Sequence, residues 1–136
     1  MKYAIVVLIL FSLFGCDYEG YYTFKVKNET SKKIELRFKN DSLYYSGDKE
    51  NRDTVYVQSG EEKAVIVIYA PLNSQAHDCL HEHGMTYFKD LVFDTYVDTV
   101  KIEKQLWQPD NWTYRKCSKW SAEYKLSITD ELLQNN

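Results

Sequence analysis

The stretch YTFKVKNETSKKIELRF, residues 22–38, decides the fold class because its apolar residues recur at every second position. Its first half places Tyr22, Phe24 and Val26 between polar residues, and its second half repeats the pattern from Ile34 to Phe38. A polar turn, residues 28–32, separates the two halves. Alternation with a period of two is typical of strands that bury one face. The stretch therefore predicts a β-hairpin.

Strand patterns continue along the rest of the chain, except in segment 71–86. Segment 64–70, AVIVIYA, is apolar at every position, which predicts a strand buried on both faces. Together the patterns predict about seven to nine short antiparallel strands, with turns every eight to twelve residues. This spacing is typical of an all-β, immunoglobulin-like β-sandwich, and a small closed β-barrel is the alternative. The further strand candidates are 54–58, 87–97, 99–103, 113–117 and 122–129.

The N-terminal segment differs from everything after it. Lys2 precedes YAIVVLILFSLF, an apolar run over residues 3–14. Twelve helical residues span about 18 Å, whereas the hydrocarbon core of a bilayer is roughly 30 Å thick. The run is therefore too short for an ordinary spanning helix and fits the apolar centre of a secretory signal peptide.

The end of this run, Leu13-Phe14-Gly15-Cys16, resembles the lipobox of bacterial prolipoproteins. Leu13 and Gly15 match that pattern, whereas small or β-branched residues are usual at the position of Phe14. The resemblance implies that a diacylglyceryl group is attached to the Cys16 thiol. It also implies cleavage before Cys16, often followed by acylation of the new amino group. The alternative is an ordinary secretion signal followed by an incidental cysteine.

The resemblance sets the expected organisation of the chain. It implies a signal peptide over 1–15 and a lipidated cysteine with a short tether over 16–21. The strand pattern then predicts a single β domain over 22–130 and a frayed tail over 131–136. The expected location is the bacterial envelope, with the outer membrane favoured and the side of the membrane left open. The Lys-, Asn-, Asp- and Tyr-rich composition also resembles small lipoproteins of Bacteroidetes whose function is unknown.

The charge of the chain argues against one class of partner. It has 17 basic and 20 acidic residues, for a net charge of −3. Cleavage before Cys16 would remove Lys2, leaving 16 basic against 20 acidic residues and a net charge of −4. This mildly acidic balance argues against electrostatic binding to nucleic acid.

Two cysteines remain once Cys16 is assigned to lipid. Cys79 and Cys117 are a natural pair in an oxidising compartment, so the sequence predicts a disulfide between them. It would close a loop of about forty residues and stabilise the fold by on the order of 4 kcal/mol.

All three histidines lie in segment 77–83, HDCLHEH. Because imidazole is a common ligand of transition metals, His77, His81 and His83 are candidate ligands for zinc or copper. The favoured alternative is a solvated histidine-rich segment, in which a short helix capped by Ser74 stops at Gly84.

Aromatic residues cluster towards the C-terminus. Exposed aromatic rings form platforms for sugars or partner proteins, whereas buried rings are more common in a sandwich core. The candidate binding face consists of Trp107, Trp112, Tyr114 and Trp120.

Three tripeptides of the form Asp-Ser/Thr-aliphatic resemble sites that are O-glycosylated in exported proteins of Bacteroidetes. The resemblance implies modification at Ser42, Thr54 and Thr99. The alternative is that each tripeptide is a turn that leads into a strand.

Two classes of function are compatible with these features. The favoured one is a non-catalytic binding or structural module that contacts an envelope protein or glycan. The alternative is a small envelope hydrolase or metal-dependent enzyme centred on segment 77–83. The carboxylates are scattered, and an enzyme needs titratable groups that converge in a cleft, so the binding module is preferred.

Overall fold

A computed structural model describes residues 18–39, 53–72 and 80–134. In these ranges eight strands form two four-stranded sheets that enclose a shared core. The predicted all-β sandwich is confirmed, and the sheets do not close into the alternative barrel. The elements are β1 (Tyr18–Asn28), β2 (Ile34–Phe38), β3 (Thr54–Val57), β4 (Glu62–Leu72), α1 (Leu80–Met85), a 3₁₀ turn (Thr86–Lys89), β5 (Phe93–Val97), β6 (Val100–Ile102), a 3₁₀ turn (Pro109–Asn111), β7 (Trp112–Lys116), β8 (Ser121–Ile128) and α2 (Asp130–Gln134).

The first sheet has the strand order β4-β1-β8-β7, and the second has the order β3-β2-β5-β6. Strand β1 pairs antiparallel with β4 but parallel with β8, with Tyr21 opposite Ser121. This parallel pair departs from the antiparallel expectation, while the other described pairs are antiparallel. The first sheet therefore joins the N-terminal and C-terminal strands of the domain.

The core consists of side chains from the inner faces of both sheets. Tyr22, Phe24 and Val26 of β1 are fully buried, as the alternation predicts. The ring of Phe24 stacks on Tyr124 of β8 at a centroid distance of 5.1 Å and meets Trp112 edge-on at 5.8 Å. Burying one large apolar side chain stabilises a fold by roughly 1.5–3 kcal/mol. The buried side chains on the inner faces of the two sheets therefore supply much of the stability.

Charged side chains cover the outer face of the first sheet. Glu123 of β8 accepts from Lys25 at 2.7 Å and from Arg115 at 3.2 Å. Glu62 of β4 pairs with both Lys25 and Lys125. This face is therefore a network of opposite charges above the apolar core.

Two predicted boundaries are wrong. Strand β1 begins at Tyr18, so residues 18–21 belong to the strand and not to a tether, because they continue the pairing with β4 from Tyr18 opposite Leu72. At the other end, α2 replaces most of the expected frayed tail. The Leu132 N–H bonds to Thr129 Oγ1 at 3.1 Å, and Leu132 and Leu133 pack against the core.

Two strand predictions also need correction. The AVIVIYA segment in β4 is not buried on both faces, because Tyr69 lies with Tyr21 on the outer face of the first sheet and is 73% exposed. Val65 and Ile66 are both buried because the β1–β4 register shifts beside them. The strand predicted over 87–97 is confirmed only for β5, since a 3₁₀ turn lies over Thr86–Lys89.

The two ends of the sandwich are named here after the terminal residues of β1. At the Asn28 end, the buried Asn28 amide donates to the carbonyls of Lys32 and Val57, at 2.7 and 3.0 Å. Its Oδ1 accepts from the backbone N–H and the hydroxyl of Thr30. Because the Gly60 N–H also bonds to the Asn28 carbonyl, this one residue ties the β1–β2 turn to the β3–β4 turn. At the opposite, Tyr18 end, α1 covers the inner-face tyrosines.

Candidate functional site

The candidate site is a cluster of phenol and imidazole groups beneath α1, at the Tyr18 end. Leu80 and Gly84, one helical turn apart, are the buried residues of α1. His81 and His83 flank that buried ridge on either side, so each reaches a different strand. We call the group formed by Tyr22, His81, His83, Tyr87, Tyr114 and Tyr124 the tyrosine–histidine cluster.

The first contact of the cluster joins Tyr22 of β1 to α1. The Tyr22 Oη lies 2.8 Å from His83 Nδ1. Burial, followed by electrostatic interaction with Tyr87 and Tyr114, raises the pKa of Tyr22 to about 12. The phenol is therefore protonated at neutral pH, and its hydroxyl forms a hydrogen bond with His83 Nδ1.

The second contact of the cluster joins Tyr124 of β8 to α1. Burial is also the main cause of a raised pKa for Tyr124, and its hydroxyl donates to the backbone carbonyl of His81 at 2.8 Å. His81 Nδ1 lies 3.2 Å from the same hydroxyl, so it is the donor in that contact. The His81 ring also packs against Tyr114 at a centroid distance of 4.4 Å.

The close approach of α1 to β8 depends on the glycine at position 84. A Cβ built at Gly84 would overlap the ring and hydroxyl of Tyr124. A side chain here would push the helix away from the tyrosine, so Gly84 lets α1 lie directly on Tyr124. The interpretation of Gly84 as a helix stop is wrong, because α1 continues to Met85.

The histidines that were candidate metal ligands are held mainly by tyrosines. His81 and His83 each direct Nδ1 at a buried phenol, whereas His77 lies outside the described residues. No group of three His, Cys, Asp or Glu side chains within residues 18–39, 53–72 and 80–134 is arranged to hold a metal ion. Binding of zinc or copper by His77, His81 and His83 stays a prediction.

A carboxylate that could join the histidines in a catalytic site, Asp94, is engaged elsewhere. Asp94 of β5 accepts from Lys39 at 3.0 Å and from Lys101 at 3.4 Å, on the outer face of the second sheet. Burial by itself would raise the pKa of Asp94, but its contacts with the two lysines outweigh burial and lower it. Asp94 is therefore an ion-paired surface carboxylate and does not join the tyrosine–histidine cluster.

The four aromatic residues of the candidate binding face do not share one exposed surface. Trp112 is 8% exposed, and its Nε1 donates to the Leu106 carbonyl at 3.0 Å, so its assignment to a binding face is wrong. Alternation along β7 places this ring inward. Trp107 and Trp120 are half-buried against the core, and Tyr114 packs against His81.

The predicted Cys79–Cys117 disulfide is not found. Cys117 lies in the β7–β8 connection and has a free, exposed thiol, with Sγ 3.7 Å from the Arg115 carbonyl. Cys79 lies outside the described residues.

Two of the three candidate glycosylation positions can be located. Thr54 is half-buried at the start of β3, and its hydroxyl donates to Asp53 at 3.3 Å. Thr99 is exposed at the tip of the β5–β6 hairpin, where Asp98 and Thr99 have φ values of 49° and 72°. A β-branched residue rarely adopts this left-handed conformation, so the turn is strained. Ser42 lies outside the described residues.

Sequence reasoning missed an aromatic pair on the outer face of the first sheet. Tyr21 of β1 lies opposite Tyr69 of β4, with a ring centroid distance of 6.3 Å. They are 45% and 73% exposed. Alternation places Tyr21 on the face opposite to Tyr22, but the tether predicted over residues 16–21 hides this signal, since the strand begins at Tyr18.

Comparison with known proteins gives no relative from which to transfer a function. No protein-family model, no curated protein and no solved structure matches this chain. Within residues 18–39, 53–72 and 80–134, no helix has the length and apolar character needed to cross a membrane.

Proposed function

We propose that the protein is a lipid-anchored lipoprotein of the bacterial envelope, placed in the outer membrane, whose β-sandwich is a non-catalytic binding or structural module. The observation that carries this proposal is the short distance along the chain between the lipobox-like cysteine and the fold. Strand β1 begins at Tyr18, two residues after Cys16. Two extended residues span at most about 7 Å, so acyl chains on Cys16 would hold the sandwich at the membrane surface.

The non-catalytic assignment rests on how the described titratable groups are used. His81 and His83 bond to Tyr124 and Tyr22 and so fasten α1 to the sheet. The carboxylates with lowered pKa values, Glu62, Asp94 and Glu123, all pair with lysine or arginine on outer faces of the sheets. An enzyme needs a nucleophile or base together with a partner that orients it. The described groups instead have structural partners.

The Asn28 end is the part of the module best placed to meet a partner. With Cys16 at the membrane, the β1–β2, β3–β4 and β5–β6 turns lie at the opposite end of the domain. Binding residues are often found in loops that a rigid scaffold positions. We propose an envelope protein or glycan as the partner of these turns.

Membrane fractionation tests the anchor. The Cys16→Ser variant should lose the lipid attachment site and appear as uncleaved precursor or soluble protein. The matched control is Cys117→Ser, because Cys117 has an exposed thiol that is remote in sequence from the lipobox-like motif. The control should stay membrane-bound and processed. Equal processing and membrane retention of both variants would contradict the anchor.

Cross-linking in the native membrane, followed by identification of the cross-linked species, tests the binding module. A photoreactive residue at Ser59, in the β3–β4 turn, should capture a specific protein or glycan. The same group at exposed Ser127, on the outer face of β8, serves as the matched position. Failure to recover a specific partner from the turns would count against the binding function.

A further inference from the structure

The Tyr18 end of the first sheet has an aromatic surface that the proposed function does not use. It consists of Tyr21, Tyr69 and the exposed Lys119 of the β7–β8 connection, which we call the anchor-side patch. Tyr21 and Tyr69 face each other across the β1–β4 pair and are both exposed. The Trp120 carbonyl accepts from the Tyr21 N–H at 3.0 Å, so the β7–β8 connection adjoins β1 beside Tyr21, while the Trp120 ring packs against the core. The Lys119 Nζ lies over the Trp120 ring at 4.9 Å.

We propose that the anchor-side patch rests in the headgroup layer of the membrane and sets the orientation of the sandwich. The proposal depends on the proposed lipid anchor at Cys16. Tyrosine and tryptophan concentrate at membrane interfaces because an apolar ring carries a polar tip. Lysine suits the same layer, since its apolar stem can lie along the surface while its ammonium reaches phosphate. The patch combines two exposed tyrosines with an exposed lysine.

Chain length decides how the domain must lie. Tyr21 is five residues beyond Cys16, which corresponds to roughly 17 Å of extended strand. The headgroup region of one leaflet is only about 5–7 Å thick. If β1 stood upright, Tyr21 would lie above that layer. Contact therefore requires β1 to lie inclined, with the outer face of the first sheet leaning towards the membrane.

This orientation separates two surfaces of the module. Tyr56 is 39% exposed, but it lies on the second sheet, where Lys33 covers its ring at 4.7 Å. In the inclined orientation the outer face of that sheet points away from the membrane. Tyr56 is therefore the matched control, since it is an exposed strand tyrosine of the same chemistry on the opposite sheet.

The test uses the mature lipidated protein in nanodiscs of phosphatidylethanolamine and phosphatidylglycerol. Nitroxide groups on the lipid headgroups broaden the NMR signals of nearby amides. Acyl chains dominate membrane retention, so the informative readout is orientation and not release from the membrane. We expect the broadening to be severalfold stronger at Tyr21, Tyr69 and Lys119 than at Tyr56.

Two variants test whether the anchor-side patch contacts the headgroups or is only held near the membrane by the lipid on Cys16. Tyr21→Thr combined with Tyr69→Thr keeps residues that suit exposed strands, and it should reduce the broadening at Lys119 severalfold. Tyr56→Thr should leave that broadening unchanged. Equal broadening of both sheets, or strong broadening at Lys119 that survives the double substitution, would overturn the proposal. The wild-type pattern is decisive even if the double variant does not fold.

The same sample distinguishes failure of the proposed lipid anchor from failure of the proposed orientation. Its intact mass reports whether Cys16 carries acyl chains. Absence of acyl mass would refute the anchor on which the orientation rests. A lipidated protein with equally broadened sheets would refute the orientation alone.

Discussion

The Asn28 end and the Tyr18 end of the sandwich are closed by different kinds of contact. At the Asn28 end, one buried amide satisfies donors and acceptors of nearby turns. At the Tyr18 end, a six-residue helix is fastened by phenol–imidazole contacts between residues 61 and 43 positions apart. The first closure lies largely within one hairpin and its neighbouring turn, whereas the second depends on the assembled fold. The comparison explains why α1 contributes side chains that strand patterns do not predict.

The largest expected effect comes from removing the Asn28 amide. Asn28→Ala leaves the buried Val57 carbonyl and Thr30 N–H without their side-chain partner. Each unsatisfied buried group costs about 1–3 kcal/mol, so the free energy of unfolding should fall by on the order of 3 kcal/mol. Urea denaturation measures the change.

The matched variant for this prediction is Asn111→Ala. The half-buried Asn111 amide donates to two carbonyls of its own loop, at 3.2 and 3.4 Å, and water can replace it. Its effect should be below about 1 kcal/mol. Equal losses for the two variants would contradict the assignment of Asn28 as the central residue of its end.

At the Tyr18 end, the strongest single effect should come from Gly84→Ala. The added methyl group overlaps Tyr124, which is 1% exposed and held by His81. Overpacking costs typically about 1–3 kcal/mol, while replacing a helical glycine by alanine returns about 1 kcal/mol. The net loss should be about 1 kcal/mol.

Thermal denaturation of Gly84→Ala measures the cost of the overlap with Tyr124. Glu82→Ala is the control for an alanine substitution elsewhere in the same helix. Glu82 is an exposed residue of the same helix, so its replacement should change stability little. A Gly84→Ala protein more stable than wild type would show that α1 does not lie as closely on Tyr124 as described.

A smaller effect is expected from Tyr22→Phe. The variant loses the hydroxyl that is hydrogen-bonded to His83 Nδ1, so the free energy of unfolding at neutral pH should fall by about 1 kcal/mol. The pKa of this phenol is about 12 in the folded protein against 10.0 ordinarily. Its contribution is therefore complete below pH 10.0, and it declines as the pH rises towards 12 because the unfolded phenol ionises first.

Urea denaturation at neutral pH measures the lost hydrogen bond of Tyr22. Urea denaturation between pH 10.0 and about 12 measures the alkaline loss of stability. Tyr22→Phe should weaken the alkaline loss of stability seen in the wild type. Tyr69→Phe alters an exposed phenol and should reproduce the wild-type profile. An unchanged alkaline profile in Tyr22→Phe would contradict a buried, protonated Tyr22.

The smallest effect on stability should come from the outer face of the first sheet, away from the Asn28 end and the Tyr18 end of the sandwich. Burial alone would raise the pKa of Glu123, but Lys25 and Arg115 outweigh it and lower the pKa below the ordinary 4.5. This carboxylate therefore stabilises the fold above pH 4.5, and its contribution is lost as the pH falls through the folded value. Glu123→Gln should cost less than about 1 kcal/mol at neutral pH, since the partners Lys25 and Arg115 are partly exposed and solvent screens both ion pairs.

Denaturation curves at neutral pH and below pH 4.5 measure this difference. The Glu123→Gln protein should lose less stability on acidification than the wild type. Glu103→Gln, at an exposed glutamate, should behave like the wild type. A loss at neutral pH as large as that of Asn28→Ala would show that the outer charge network matters as much as the Asn28 end.

Alternation predicts the parts of the fold in which one strand face is buried. It places Tyr22, Phe24 and Val26 inside correctly, and the β1–β2 turn follows from the polar segment between the two strands. It cannot predict the parallel β1–β8 pair, because pairing between distant strands depends on tertiary packing. The burial of Trp112 also depends on tertiary packing, since a tryptophan beside a turn suits either a core or a surface.

The candidate site was predicted only in part. The segment 77–83 draws attention through its histidines, but their tyrosine partners come from β1 and β8, and nothing local in the sequence identifies them. The anchor-side patch was predictable in principle from alternation through Tyr21. It was missed because the strand start at Tyr18 depends on pairing with residues around Leu72.

The intact mass of the protein purified from the membrane fraction is the decisive test of lipid attachment at Cys16. A lipid-anchored envelope protein should give a mature chain that begins at Cys16 and carries the mass of a diacylglyceryl group, with or without a further acyl chain. Fragmentation should locate that added mass at Cys16. A mature chain that begins at another residue, or that carries no acyl mass, would contradict the account.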